Sequence, residues 1–238
     1  MVFSIRRTVA MIAASFGLQL SFAANADGFD SYTSPEGVKY SVPSDWTPMT
    51  LNQLRKYTEI VPEIEKVDEV VPGALAAGQN TNRIFFVNQY DGNGRQIGQV
   101  GMSIDPVPAT ERVTQREFKN DMADPEIYQE VENMFVNQLG PQIALGMNRM
   151  SHMNAAEFLH FGVYQYGDWQ CFGLLFDTNM TNGEEPYHMS IQCPDGEMYL
   201  RFTAFVDKQH QDEIGNELGE MVAAIDTSGA SWWGASVK

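Results

Sequence analysis

The chain has 238 residues, with 15 basic against 31 acidic side chains and a net charge of −16. Negative charge spread over a whole surface argues against DNA, RNA or anionic lipid as partners, because each would be repelled. It is compatible with a cationic partner, with metal ions, or with solubility alone, and solubility is the simplest of these.

The first 26 residues read as a secretion signal. Arg6 and Arg7 give a short positive region, Thr8 to Phe22 is almost wholly apolar, and Ala24-Asn25-Ala26 has the small–x–small spacing that signal peptidase reads. An apolar core of about 15 residues is short of the roughly 20 needed to span a bilayer as a helix, so no transmembrane anchor is expected after cleavage. Thr8-Val9-Ala10 does not continue the arginine pair as twin-arginine export would require, which favours ordinary unfolded export. The mature chain then starts near Asp27, with 13 basic and 31 acidic residues and a net charge of −18. Its length suits one domain, expected over residues 27–226, followed by a flexible tail over 227–238.

Along that domain, Val38 to Val42 alternates as a short strand, ended by Pro43-Ser44-Asp45-Trp46. Thr50 can cap a helix carrying Leu51, Leu54, Ile60 and Val61, stopped by Pro62. Glu63 to Gln79 is mixed and acidic. Arg83 to Tyr90 and Arg95 to Ile104 read as two strands joined by the turn Asp91-Gly92-Asn93-Gly94. Thr114 begins a short helix through Met122. Asp124-Pro125 opens a longer one with Ile127, Val131, Met134, Phe135 and Leu139 on one face, interrupted at Gly140-Pro141 and continuing one turn to Leu145. From Met147 to Val206 the pattern is strands with turns at Gly167-Asp168, Asn182-Gly183 and Asp195-Gly196. Lys208 to Asp226 is an amphipathic helix with Ile214, Leu218, Met221, Val222 and Ile225 in phase.

The two cysteines, Cys171 and Cys193, fall in the strands either side of Asn182-Gly183. A hairpin centred on Asn182 sets 171 opposite 193, 173 opposite 191 and 175 opposite 189, which puts Cys171, Leu175, Met189, Ile191 and Cys193 on one face. In an oxidising compartment this predicts a structural cross-strand disulfide, as against a redox-active or metal-binding pair, for which no Cys-x-x-Cys is present. If Asp195-Gly196 is a two-residue turn, 193 faces 198 and 191 faces 200, keeping Met198, Leu200 and Phe202 on the same face. The expected fold is therefore α+β, an α/β/α sandwich with a central antiparallel sheet covered by helices and one cross-strand disulfide.

Tyr32 and the run Glu36-Gly37-Val38-Lys39-Tyr40-Ser41-Val42-Pro43-Ser44-Asp45-Trp46 resemble the opening of the PsbP/Mog1-like superfamily, with glycine, aromatic, proline and tryptophan in that order. The segment order across most of the mature chain is also similar, most of all to the bacterial periplasmic branch that includes DcrB-like proteins. The resemblance implies an accessory, binding or assembly factor and supplies no shared catalytic residues. The cysteine pair and the acidic stretch near Glu63 to Gln79 depart from the family pattern.

No Gly-x-Ser-x-Gly elbow, His-Glu-x-x-His pair or phosphate-cradling loop is present, so no catalytic residue and no cofactor is assigned. Met150, His152 and Met153, with Met147 nearby, have ligand types suited to Cu(I). In a strand, alternation would separate Met147 and Met153 from Met150 and His152, and core packing is the default reading. His160 and His188 read as strand histidines without partners. Asp91-Gly92-Asn93-Gly94 lacks the later ligands of a calcium loop. Trp46 is expected to anchor the domain, and Trp232-Trp233 either dock onto it or contact a partner. The function expected is that of a non-catalytic accessory or binding protein of the cell envelope, periplasmic or secreted, with an unknown envelope protein or small ligand as partner. Envelope copper binding and a hydrolase built from distant carboxylates are the alternatives.

Overall fold

A computed structural model of the chain describes residues 28–33, 37–48, 70–71, 74–75, 83–107, 112–196 and 198–229, with backbone alone at 70–71, 74–75, 83–85 and 105–106. The signal segment, the helix expected after Thr50, most of the acidic stretch and the Trp232-Trp233 tail lie outside the described residues.

Eleven strands are described: β1 Phe29–Thr33, β2 Lys39–Pro43, β3 Thr47–Pro48, β4 Val70–Val71, β5 Ala74–Leu75, β6 Arg83–Tyr90, β7 Gln96–Pro106, β8 Met153–Tyr166, β9 Trp169–Met180, β10 Tyr187–Asp195 and β11 Met198–Val206. Seven of them form one antiparallel sheet in the order β3-β6-β7-β11-β10-β9-β8, while β1-β2 and β4-β5 pair separately. The helices are α1 Gln115–Ala123, α2 Pro125–Met134 and α3 Gly140–Met147, then α4 Gln211–Ala223.

The sheet has two covered faces. On one, Cys171, Ile191, Cys193, Leu200, Phe202, Met102 and Ile104 pack against Ile214, Leu218, Met221 and Val222 of α4 and against Val38, Tyr40, Val42 and Trp46. On the other, Phe161, Leu174, Phe176 and Met153 meet Ala144 and Met147 of α3, with Tyr128, Val131 and Phe135 beside them. Helices therefore lie on both sides of an antiparallel sheet, the sandwich expected from the segment order. Cys171 and Cys193 are joined, with Cα atoms 4.2 Å apart, and both are fully buried. The expected register about Asn182 is present: Ile191 faces Gly173 and Met189 faces Leu175.

At the next turn the register differs. Asp195 pairs with Met198, Cys193 with Leu200 and Ile191 with Phe202, so the turn begins at Gly196 rather than at Asp195. Gly196 has φ +64°, a left-handed conformation that glycine adopts without cost, which makes it the first loop residue. Relative to the expected pairing, the partners move by two residues. Because side chains alternate with period two, Met198, Leu200 and Phe202 stay on the disulfide face all the same.

The helix opened by Asp124 also departs from expectation. Asp124 Oδ1 accepts from the amides of Glu126 and Ile127, and the helix runs on past Gly140-Pro141 to Met147 through a π-helical turn at Phe135–Leu139. There the Gly140 N–H reaches five residues back to the Phe135 carbonyl. The wider turn accommodates a proline whose ring and missing N–H would disrupt a regular α-helix. Its inward face is Tyr128, Val131 and Phe135, whereas Ile127 and Met134 are each 38% exposed. The sheet selects that face: Phe135 stacks on Phe161 at 4.7 Å and lies 5.4 Å from Phe172.

The β1-β2 hairpin sits outside the main sheet and was not foreseen as a pair. It is held at its far end by reciprocal backbone bonds between Lys39 and Asp226, 2.9 and 3.0 Å, and by the ion pair between their side chains. The expected short strand 38–42 corresponds to β2.

A candidate ligand-binding cleft

On the face opposite the disulfide, one row of side chains crosses most of the sheet in register: Phe158, Phe176, His188, Phe205, Gln99 and Asn88. Phe158 meets Phe176 edge-on at 5.5 Å. The His188 ring stacks between Phe176 at 5.6 Å and Phe205 at 4.8 Å. Gln99 donates to Asn88 across 3.2 Å, and both are buried. His188 is thus an imidazole inserted into an aromatic ladder. Its Nδ1 is closed off from solvent and has no hydrogen-bond partner among the described residues. Burial, and next the nearby His152 ring, push its pKa down to about 4, so the ring is neutral over most of the pH range.

His152 reaches this place because the chain leaves α3 in a tight turn rather than a strand. Arg149 N–H bonds to the Gly146 carbonyl, Met150 N–H to Met147, and Met153 N–H to Met150. The turn is tied to the β9-β10 loop by Thr181, whose backbone N–H and hydroxyl both donate to the His152 carbonyl, at 3.0 and 3.4 Å. His152 Nδ1 is also buried without a partner among the described residues, and burial lowers its pKa.

Beside His152 opens a cleft of about 250 Å³, lined among others by Gln99, Phe205, Met180, Asn182, Glu184 and Asp207. Its loop wall is fixed by side-chain bonds. Asn182 Oδ1 accepts from the Glu184 amide at 3.1 Å, and Asn182 donates to the Glu184 carboxylate at 2.9 Å. At the other wall Arg95 is ion-paired to Asp207. Burial raises the Asp207 pKa, but bonds from Gln209 and His210 and the Arg95 charge outweigh it and hold the carboxyl below its ordinary value. Glu184, Glu185 and Asp207 against one arginine leave the cleft net acidic. Chemically it offers imidazole, amide and carboxylate groups beside the Phe205 ring, a set suited to holding a ligand.

The sequence-predicted site residues do not form one cluster. Met147 and Met153 are in the apolar core, 4% and 5% exposed, Met150 is on the surface, and His152 alone of the four turns to the cleft. The separation of Met147 and Met153 from Met150 and His152 holds, though it arises from a helix end and a turn rather than from strand alternation. Among the described residues, no three His, Cys, Asp or Glu side chains gather as a metal site. His160 lies on the disulfide face near Tyr164, whose ring covers the space above Gly162 and Gly173. Burial, and then Tyr128, push the Tyr164 hydroxyl up to about 12. The void beside them, about 20 Å³, has room for roughly one water. Asp91 is a turn residue: its Oδ1 accepts from the amides of Asn93 and Arg95, both at 2.9 Å. Trp46 is buried in the core. Sequence reasoning set His188 aside as a strand histidine without a partner and did not single out Gln99, Arg95 or Asp207. The register about Asn182 does place His188 opposite Phe176, and that was the available signal.

No family model and no curated protein matches this chain. Among solved structures it is similar to PsbP (CyanoP) of the cyanobacterium Synechocystis sp. PCC 6803, at 9% identity and a TM-score of 0.42 over 88% of this chain and 98% of that one. It is similar also to a protein of Bacteroides thetaiotaomicron, at 12% identity and a TM-score of 0.41. There 84% of this chain is covered but only 48% of the other, so the chain spans about half of that protein's length. A third is the Ran-binding protein Mog1p of Saccharomyces cerevisiae, at 10% identity and a TM-score of 0.37, over 85% and 98% of the two chains.

Proposed function

We propose that this chain is an exported, non-catalytic accessory or binding protein of the bacterial cell envelope, of PsbP/Mog1-like type and nearest in kind to the DcrB-like periplasmic branch. The observation that carries the binding role is the cleft beside His152, where polar groups from several loops and from β7 converge next to Phe205. The compartment is argued from the buried Cys171–Cys193 bond, which persists where the surroundings are oxidising. No helix among the described residues is long and apolar enough to cross a membrane.

The test is affinity capture by the mature protein from its own envelope extract, beside an Asn182→Trp variant that fills the cleft from an exposed loop position. A protein or small molecule retained by the parent and lost by the variant is the expected result. Identical recoveries from both would remove the cleft from the account. Intact mass of the native protein checks export: a start at Asp27 and two fewer hydrogens than the dithiol are expected. Replacing Trp232 and Trp233 by Ser separates their two roles: a lost partner at unchanged stability marks contact, and a lowered Tm marks docking.

A further inference from the structure

We propose that the cleft beside His152 takes an alkylammonium or guanidinium cation, either the end of a lysine or arginine side chain or a small free amine. This deepens the reading of the cleft as a ligand site and rests on it.

The balance of donors and acceptors around the cleft carries the argument. Glu184, Glu185 and Asp207 line it together with Arg95. Arg95 is committed to Asp207 by their ion pair. Among the described residues Glu184 accepts a side-chain bond from Asn182 at 2.9 Å and Glu185 one from Asn179 at 3.2 Å, and neither is paired with a lysine or arginine. A carboxylate has about four lone-pair sites, so both keep acceptor capacity. Donors on the walls are spent within the protein: Asn182 gives its amide to Glu184, and Gln99 gives its own to Asn88. A ligand seated here has to bring N–H groups and positive charge.

The second sign is separate from the carboxylates. His152 lines the cleft, and its Nδ1 is shut away from solvent without a partner among the described residues. Buried polar atoms are nearly always paired in folded proteins, so this one indicates an occupant. Burial lowers the His152 pKa and favours the neutral ring, one nitrogen of which accepts. A ligand N–H selects the tautomer that leaves Nδ1 as that acceptor.

Size and surface narrow the class. At about 250 Å³ the cleft lies below the roughly 300–1,000 Å³ of sites for drug-sized ligands, which suits one long side chain or a small amine. Phe205, Met180 and Pro186 add apolar lining for an alkyl stem, and an aromatic ring attracts a cation beside it. A bare metal ion needs its ligands gathered at one point, and no three His, Cys, Asp or Glu side chains gather so among the described residues. A cation with several N–H groups reaches acceptors spread along a cleft.

The full chain, disulfide intact, is titrated with spermidine, with a blocked peptide containing one lysine, and with the same peptide acetylated on that lysine. Backbone amide shifts followed by NMR give site and affinity together. Shifts at His152, Asn182 and Glu184 are expected with the two cationic probes and not with the acetylated one, and tighter binding of the peptide or of spermidine tells a partner's side chain from a free amine. A hydrogen bond to a charged group is worth about 1.5–3 kcal/mol, so His152→Phe should weaken binding at least about 10-fold. Glu184→Gln with Glu185→Gln should weaken it by several-fold, as added salt should. Glu157→Gln, on β8 and outside the cleft, should leave it unchanged. Equal binding of the acetylated peptide, shifts confined to other surfaces, or equal losses from Glu157→Gln and the cleft variants would overturn the assignment. Should no cationic probe bind while Asn182→Trp still loses its captured partner, the ligand class fails and the binding role stands.

Discussion

Trp46 gives its indole N–H to the Glu217 carboxylate across 2.9 Å, joining the opening motif to the last helix. The indole is buried and the carboxylate half-buried. Burial, and the charges of Asp45, Glu213 and Glu220, push the Glu217 pKa up to about 7 against the opposing effect of the Trp46 bond. From its ordinary 4.5 up to about 7 the folded state holds more protons than the unfolded one, so this group lowers stability as pH rises through that window. Screening at a half-exposed site limits the effect to about 1 kcal/mol. Glu217→Gln keeps an oxygen for Trp46 and should flatten this fall. Tm measured at pH 5, 6 and 7.5 checks it, and an unchanged pH profile in the variant would count against the assignment.

His188 works in the opposite sense. Its folded pKa of about 4 lies below the ordinary 6.5, so the unfolded chain binds the extra proton and stability is lost as pH falls through that window. Between about pH 4.5 and 6.5 the two residues oppose each other and the parent should show a shallow profile. Removing either exposes the other. His188→Phe, which gives up no hydrogen bond to any described residue, should keep its stability down to pH 4.5 better than the parent does. Equal acid sensitivity of the two proteins would contradict this.

The disulfide closes a loop of 22 residues between fully buried cysteines. Chain-entropy arithmetic for that length gives about 3 kcal/mol. The double replacement Cys171→Ala, Cys193→Ala should lower Tm by roughly 6–12 °C. A Tm indifferent to strong reductant would argue that the bond contributes little.

Two glycines of one helix should respond with opposite signs. A Cβ at Gly140 would sit 2.5 Å from the body of the Phe158 ring, whereas one at Gly146 meets nothing within 4 Å. Alanine is the better helix former by about 1 kcal/mol. Gly146→Ala should therefore stabilise by up to about 1 kcal/mol, while overpacking should make Gly140→Ala destabilising by about 1–2 kcal/mol. Denaturant midpoints of the two variants decide it. Stabilisation by both would mean that Phe158 can move aside.

Much of the sheet was legible because alternation and turn residues are local signals. Asn182-Gly183 fixed the pairing of β9 with β10, and a two-residue error at Gly196 left every core side chain on its proper face. The helix after Asp124 was legible in its cap but not in its length, since a proline after glycine reads as a stop and a π turn has no compositional mark. β1 and β3 were missed for being short, and because what pairs them lies elsewhere in the chain. The cleft was least legible. Arg95 and Gln99 come from the start of β7, His152 from a turn, Glu184 from the β9-β10 loop and Asp207 from the end of β11, and each alone is an ordinary polar residue. His152 was assigned to a strand, whereas it lies in the turn that follows α3 and from there reaches the cleft.

The clasp between Lys39 and Asp226 has a bearing on assembly. Among the described residues β1-β2 rests on α4 and on Asp226 after it, so a growing or emerging chain cannot seat the hairpin until α4 is available. Val38, Tyr40, Val42 and Trp46 must stay uncovered through that interval, a period of stickiness that a chaperone could be needed to bridge.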